Sequence, residues 1–462
     1  MQQNEGLFAS GIQNVHFIGI GGISMSGLAE ILLSRGYEIT GSDMRESAIT
    51  VKLQNLGIKT VIGHSAKNIE GADLIVYTAA INEDNPELAA ARLKGVPSMD
   101  RATLLGKIMK NYPGSIAVSG THGKTTTTSM VSMMLLEAGM NPTIHIGGEL
   151  DAIKGTTHIG NDSYFVAEAC EYFESFLKFH PYIAVILNID YDHADFFKDI
   201  DHVINTFRKF AMLLPPDGYL VANADDGNIN KLLGSVACNI VTYGINDATA
   251  QWRACNITFD EFGCASYTLI HKDLEIDTIS LKVPGIHNVG NSLAAIAACA
   301  ITGCSIEASR QALLKFQGTH RRFELKGILN GIKVIDDYAH HPSEVKATLK
   351  AAKACRQARV WCVFQPHTYT RTKFLMNDFA TAFEDADEVI LTDIYAAREV
   401  DKGEVNSRML ADRIMETGKK VHYFGTFEAI AEYLKANAQS QDLIITMGAG
   451  DIYKAGELFL KG

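Results

Sequence analysis

Six residues, Gly120-Thr121-His122-Gly123-Lys124-Thr125, have the types and spacing to hold a nucleotide phosphate. They follow the apolar run Ile116-Ala117-Val118 and precede Thr126 to Ala138, which reads as a helix ended by Gly139. Glycines let backbone N–H groups approach phosphate oxygens, and a helix N-terminus adds positive partial charge. Lys124 would reach the terminal phosphates and Thr125 would hold Mg²⁺. The usual phosphate loop places four residues between its glycines, whereas two separate Gly120 from Gly123. A glycine-rich turn beside a solvated lysine is the competing reading. Strand, turn, lysine, hydroxyl and helix in register favour the cradle.

Other clusters are weaker alone. Gly19-Ile20-Gly21-Gly22-Ile23-Ser24 nearly fits the dinucleotide fingerprint, with Ser24 in the third-glycine place and Asp43 about 20 residues on. A diphosphate site, an empty tight turn and the NAD site of an oxidoreductase all stay open there. Glu168 ends a strand in the phosphate-loop unit, where an acid reaches a metal held by Thr125. His193 follows the next strand; Mg²⁺ prefers oxygen ligands, so a histidine ligand is unusual, and a lone histidine after a strand is more often a surface or satisfied residue. Asn288 and Asn291 share a helix face, and carboxamides donate and accept as an adenine edge requires. Capping of that helix by Asn288 is the better reading from spacing. Arg322, beside Arg321, could neutralise a γ-phosphate or be simply solvated. Asp336-Asp337-Tyr338-Ala339-His340-His341-Pro342 and Gln365 to Arg371 follow strands, at the carboxyl edge where α/β sheets bind ligands. Arg371 could clamp a carboxylate; a polar loop is the alternative for both.

The elements that position these residues alternate between strand and helix. Val15–Ile20, Tyr37–Asp43, Ile58–Ile62 and Leu74–Thr78 read as strands, with a helix over Ser26–Ser34 ended by Gly36. Tyr164–Glu168 and Ile183–Asn188 are buried strands of a second unit. Trp252 to Val283 alternates as an antiparallel segment does, and Pro284-Gly285 breaks the chain before a helix from about Asn288. Ile332–Asp336, Val360–Phe364, Glu388–Thr392 and Leu443–Met447 are strands of a third, doubly wound unit. The 462 residues suit about three domains, expected at 1–105, 106–323 and 324–462.

A net charge of −11 disfavours a nucleic-acid partner, since no basic excess exists to displace counterions. The eight cysteines contain no Cys-x-x-Cys pair, which fits reduced thiols in a cytoplasmic protein. Met1 to Glu5 lacks a basic region before an apolar core, so no signal peptide is expected. Leu293 to Cys304, the most apolar helical stretch, is too short to span a bilayer and reads as a buried helix, with no membrane insertion.

Together these segments resemble the Mur ligases, ATP-dependent amide-forming enzymes of peptidoglycan synthesis, over nearly the whole chain. The likeness rests on Gly-Ile-Gly-Gly-x-x-Met-Ser-Gly-Leu-Ala at 19–29, Gly-Thr-His-Gly-Lys-Thr at 120–125, His-Asn-x-x-Asn at 287–291, Asp-Asp-Tyr-Ala-His-His-Pro at 336–342 and Phe-Gln-Pro-His at 364–367. The branch it most resembles adds L-alanine to UDP-N-acetylmuramate. The resemblance implies α/β domains: a Rossmann-like one for the UDP substrate, a central ATP-binding one with a mostly parallel sheet, and a Rossmann-like C-terminal one for the amino acid. It implies that Gly19, Gly21 and Gly22 cradle the UDP diphosphate, with His64 and Asp43 nearby. It assigns Gly120, Thr121, His122, Gly123, Lys124, Thr125 and Thr126 to ATP phosphates, Asn288 and Asn291 to adenine, Asp337 to ribose and Arg322 to phosphate. Thr125, Glu168 and His193 would serve Mg²⁺, which reverses the reading of His193. His340 and Arg371 would face alanine, with Lys124, Glu168, His193, Arg322 and His340 as the catalytic set. An acyl phosphate of the lactyl carboxylate would be attacked by the amine, whose proton His193 or His340 would take.

Two departures stand out. Thr368 occupies a place where some members carry arginine, and the stretch after Glu168 reads Ala-Cys-Glu-Tyr-Phe where many have Ala-Asp-Glu-Ser-Asp, leaving the role of Glu171 open. The competing functions are a ligase adding a whole peptide to the same sugar nucleotide, a folate-polyglutamate ligase, a nicotinamide-dependent oxidoreductase and an inactive ATP-binding module. The oxidoreductase leaves the phosphate loop and its metal acids unexplained, and phosphate release that ignored every candidate substrate would favour the inactive module.

Overall fold

The computed structural model describes residues 7–8, 11–78, 80–355 and 357–462; the stretch Met1 to Glu5 lies outside them. Among the described residues three sheets follow one another along the chain. The first has the order Lys59–Ile62, Glu38–Asp43, Asn14–Ile18, Leu74–Tyr77, Ser98–Asp100, and every pairing is parallel. Val15, Phe17, Ile18, Ile75 and Val76 are buried, as strands with covered faces require. The chain leaves Asn14–Ile18 in one direction and returns to pair its other edge with Leu74–Tyr77. That reversal places a crevice at the Gly19 turn, where open α/β sheets bind ligands.

The central sheet has ten strands. Its parallel body runs Trp252–Phe259, Asn239–Gly244, Tyr219–Asn223, Ile183–Ile186, Gly114–Ser119, Tyr164–Ala169, Thr143–Leu150. Antiparallel strands extend both edges: Cys264–His271 and Leu274–Pro284 on one, Gly155–His158 on the other. Helices Lys124–Glu137, Ile286–Ile301 and Ile306–Lys315 cover one face and form an apolar core with it. The other face shares a continuous core with the first domain through Leu104, Leu105, Ile108 and Tyr112. The expected boundary at 105 therefore falls inside the helix Arg101–Met109, which packs into both domains. The third sheet runs Glu324–Leu329, Ile332–Asp337, Leu443–Met447, Val360–Phe364, Glu388–Leu391, Val421–Tyr423, parallel except for its first strand. It carries an apolar core on each face.

Local details differ from the sequence reading for stated reasons. The strands Thr143–Leu150 and Gly155–His158 were not expected, because His145, Gly147 and Gly148 interrupt the apolar pattern. The helix after the phosphate loop begins at Lys124, since Gly123 at φ 84° turns the chain directly into it. Gly285 at φ 97° starts the helix Ile286–Ile301, so Asn288 lies inside it and does not cap it. Among the described residues no helix is long and apolar enough to cross a membrane.

Candidate active site

The 120–125 loop connects strand Gly114–Ser119 to helix Lys124–Glu137 at the centre of the middle sheet. Gly120 (φ 146°) and Gly123 (φ 84°) hold backbone angles that side chains rarely adopt. The loop is also packed tightly: a Cβ on Gly120 would come 2.9 Å from Leu187 Cβ, and one on Gly123 2.7 Å from Asn291 Oδ1. Asn188 braces it from behind. Its Oδ1 accepts from His122 N at 2.8 Å and its Nδ2 donates to His122 O at 3.0 Å. Thr121 Oγ1 accepts from Asp190 N at 2.9 Å. No side chain caps the helix, so its first-turn N–H groups remain for an anion.

Lys124 Nζ donates to the carbonyls of Gly120 and Thr121 and, at 3.0 Å, to Glu171 Oε2. Glu171 is 2% exposed, and its other oxygen lies 3.8 Å from His193 Nε2. Burial opposes the charge of Lys124, but Glu171 together with Cys170 and Glu168 holds the pKa above the ordinary lysine value. His193 has φ 53° and stacks on Tyr172 with ring centroids 4.2 Å apart. Burial lowers its pKa despite Asp192 and Glu171, so it presents a neutral imidazole. Glu168 accepts from Gly147 N at 2.8 Å. Gly147 and Gly148 leave room between it and Thr125: a Cβ on Gly148 would come 2.9 Å from Thr125 Cγ2, and one on Gly147 3.0 Å from Glu168 Oε2. Thr125 supplies a hydroxyl, Glu168 and Glu171 carboxylates and His193 a neutral imidazole, donor types in which oxygen predominates, as Mg²⁺ prefers.

A cavity of about 290 Å³ opens beside the loop, between the middle and C-terminal domains. His122, Gly123, Thr126, Asn288, Asn291, Arg322, Asp337 and Glu344 line it. Asn288 Nδ2 donates to Pro284 O at 2.7 Å, and Asn288 Oδ1 accepts from Asn291 Nδ2 at 3.0 Å. The two carboxamides are thus fixed as a unit. The Arg322 guanidinium lies 5.1 Å from the Tyr338 ring centroid and 3.9 Å from Glu344. Asp337 accepts from Ala339 N and Phe323 N at 2.7 and 2.8 Å, and burial raises its pKa to about 6 against the pull of Arg322.

The first-domain residues form a separate group. Gly19 N and Ile20 N both donate to Ser42 O, and Gly21 N donates to Asp43 Oδ2 at 2.9 Å. Asp43 therefore shapes the turn directly. Gly19, at φ 81°, lies so close to the next strand that a Cβ would come 2.8 Å from Thr78 Cγ2. Gly22 precedes a helix, Ile23–Ser34, that no side chain caps. His64 Nδ1 lies 3.1 Å from Ser42 Oγ and 3.4 Å from the fully buried Glu87. Burial opposes the Glu87 charge, but hydrogen bonds from His16, Ser42 and Asn68 hold its pKa at about 2.

In the third domain His340 Nδ1 faces Tyr338 O at 2.9 Å, so Nδ1 carries the proton and Nε2 the lone pair. Burial lowers the His340 pKa to about 4. Arg371 is already paired across the domain seam: Nε meets Asp192 Oδ1 at 2.9 Å and Nη2 meets Oδ2 at 3.1 Å. Its Nη1 faces His367 Nδ1 at 3.0 Å.

Three family models match consecutive parts of the chain: Mur ligase family, catalytic domain, over residues 14–113; Mur ligase middle domain over 118–299; and Mur ligase, glutamate ligase domain, over 321–450. The chain is a Mur ligase. A relative from Acetivibrio thermocellus named UDP-N-acetylmuramate–L-alanine ligase is 61% identical over 461 residues, covering 100% of this Mur ligase and 98% of the relative. One of the same name from Caldanaerobacter subterraneus is 53% identical and covers 97% of each chain. The crystal structure of a UDP-N-acetylmuramate-alanine ligase from Thermotoga maritima superposes with a TM-score of 0.81 at 30% identity, over 97% of this Mur ligase and 98% of that chain.

The Mur ligase also uses residues that the sequence did not single out for a role. Asn188 braces the loop, and Glu171, whose place had stayed open, holds Lys124. Glu344 links three of the expected residues. It lies 3.3 Å from His122 Nδ1, 3.3 Å from His340 Nδ1 and 3.9 Å from Arg322. His122 also faces Asp190 at 3.4 Å. Burial disfavours the His122 charge, but Asp190 and Glu344 overcome it and raise its pKa to about 9. His122, Asp190 and His341 bring ligand atoms within 4.8 Å of one another. An imidazolium has no lone pair to give, so this is an ion-pair network across the domain seam.

A folded-state pKa near 9 against an ordinary 6.5 means the proton favours the assembled form. That stabilisation is complete below about pH 6.5 and is lost as pH rises through about 9. The thermal midpoint should fall as pH rises from about 6.5 to about 9, and His122→Gln should flatten that part of the profile. Parallel profiles for the two proteins would remove His122 as the cause.

Proposed function

We infer that this Mur ligase joins L-alanine to the lactyl carboxylate of UDP-N-acetylmuramate in peptidoglycan precursor synthesis, converting ATP to ADP and phosphate. The observation that carries the reading is the position of the Lys124 loop. It borders the cavity shared with the C-terminal domain, while the first domain packs on the sheet behind Glu168. Nucleotide and acid can therefore meet at one lysine.

A carboxylate resists an amine at neutral pH because its oxygen is a poor leaving group, and phosphorylation supplies a better one. A lactyl oxygen attacks the γ-phosphorus and the bond to the ADP oxygen breaks, giving an acyl phosphate and ADP. The alanine nitrogen then attacks the acyl carbon, and the tetrahedral intermediate collapses with loss of phosphate. Lys124 and Arg322 would both face the phosphates and spread the developing charge. Asn288 and Asn291 would meet adenine and Asp337 the ribose. Gly19, Gly21 and Gly22 would cradle the UDP diphosphate, with Asp43 shaping the turn and His64 beside it. His340 and Arg371 would border the alanine, and Nε2 of His340, or His193, would take the amine proton. Thr125, Glu168 and His193 would hold Mg²⁺, which when bound neutralises phosphate oxygens. The contacts of Glu344 and Asp192 across the seam would keep water from the acyl phosphate. A cytoplasmic location belongs to the same reading, and eight free cysteines support it.

The test is phosphate release with ATP, Mg²⁺ and UDP-N-acetylmuramate, scanned across single amino acids and a short peptide. L-Alanine should give the fastest release, with serine and glycine slower. Release that ignores the amine, or that is fastest with the peptide, would overturn the reading.

A further inference from the structure

A second cavity, of about 250 Å³, lies on the seam between the first and middle domains, with Ser24, Arg101, His145, Glu168 and Cys170 in its wall. Arg101 Nη1 donates to Ser24 Oγ at 2.9 Å, and Ser24 Oγ lies 2.7 Å from His145 Nε2. The three come from different elements: the first turn of helix Ile23–Ser34, the first residue of helix Arg101–Met109, and strand Thr143–Leu150. Gly27 makes their meeting possible. A Cβ there would come 2.1 Å from Thr157 Oγ1 and 2.9 Å from His145 Nδ1, so only glycine lets the helix backbone settle on these side chains.

Within the Ser24–Arg101–His145 cluster the charge of Arg101 is not cancelled, and Glu168, the carboxylate in the same wall, accepts from Gly147 N. Arg321, Arg359 and Arg371 are each paired with a buried aspartate. Arg101 has Ser24 as its hydrogen-bond partner and no carboxylate partner among the described residues. His145 is 4% exposed, and burial together with the Arg101 charge pulls its pKa down to about 3, so it adds no charge. One guanidinium therefore faces the cavity with part of its donor fork unused. Cys170, also in the wall, adjoins Glu171, the partner of Lys124 in the phosphate loop.

We propose that Arg101, positioned by Ser24 and His145, binds the lactyl carboxylate of UDP-N-acetylmuramate and presents it to the Lys124 loop. The proposal rests on the substrate reading above and adds the residue that holds the reacting group. A planar fork suits a single carboxylate, which it can engage through two parallel hydrogen bonds. The diphosphate of the same molecule has its own receptor in the glycine turn and the uncapped helix that follows it. Ser24 and His145 are positioning residues: they orient the guanidinium and do not meet the reacting atoms.

Calorimetric binding of two sugar nucleotides separates the carboxylate from the diphosphate. UDP-N-acetylmuramate carries the lactyl acid and UDP-N-acetylglucosamine lacks it, while both carry the diphosphate. Arg101→Ala and Arg101→Gln should each weaken binding of the acid by roughly tenfold or more and leave the acid-free sugar within about twofold of wild type. Ser24→Ala should weaken only the acid, by a smaller factor. ATP binding by each variant checks that the middle domain remains folded. Equal losses for both sugar nucleotides would transfer Arg101 to the diphosphate and overturn the proposal, as would no loss for either. Wild-type protein that binds neither sugar nucleotide would sink the substrate reading together with the proposal. Wild-type binding with unaffected variants would sink the proposal alone.

Discussion

Replacing Lys124 by alanine should lower ADP formation by roughly a thousandfold, on the order of 4 kcal/mol, with UDP-N-acetylmuramate affinity within about twofold of wild type. The lysine is the cation whose Nζ reaches into the loop itself, through the carbonyls of Gly120 and Thr121. Arg322 lines the cavity at the junction with the C-terminal domain and cannot take its place. The sugar nucleotide is expected at the Gly19 turn, so its binding does not need the lysine. One complication follows from the packing. Glu171 is 2% exposed and loses its partner, and a buried carboxylate left unpaired destabilises the fold. Lys124→Ala combined with Glu171→Gln removes that stranded charge. The double variant should regain thermal stability while single-turnover ADP formation stays lost. Normal ADP formation in either protein would remove the phosphate-cradle assignment.

The parts of this site that sequence made visible are those that local backbone demands. Gly19, Gly120 and Gly123 stand where φ is positive, and a lysine and threonine after the last of them declare a loop-to-helix transition. Continuous apolar runs such as Ile183–Ile186 betray strands covered on both faces. What stayed hidden depends on partners far along the chain. Asn188 reads as an ordinary polar residue after a strand, and its task is set by His122, 66 residues away. Glu171 and Glu344 are likewise unremarkable until the fold brings cations to them. The strand Thr143–Leu150 was obscured by the very residues that give it a use, since Gly147 and Gly148 open space for Thr125 and Glu168. Gly27 stood in the 19–29 motif, but its packing role was not read from it. A glycine inside a helical pattern costs stability and usually marks a close approach, here that of the first domain to the second.

Arg371→Ala should destabilise the protein by about 3–5 kcal/mol, because it leaves Asp192 buried without its counter-charge. The two side chains are 9% and 8% exposed and meet through two hydrogen bonds across the seam. Such a pair contributes less than its removal suggests, since desolvation offsets most of the attraction. Replacing both residues together should therefore recover much of the loss, and a double-mutant cycle should give a coupling energy above about 1.5 kcal/mol. Asp192 Oδ1 also accepts from His193 N at 2.7 Å, so the pair ties the C-terminal domain to the candidate metal ligand. Turnover should fall in Arg371→Ala for that reason, apart from any contact with alanine. The alanine KM separates the two effects. Asp192→Asn keeps the shape of the acceptor and leaves Arg371 charged, so it should weaken the seam while holding the alanine KM within about twofold. Arg371→Ala should raise that KM by roughly tenfold or more, if its guanidinium also meets the amino acid's carboxylate. Equal KM values in the two variants would make Arg371 a brace for the closed site and place the alanine carboxylate on another residue.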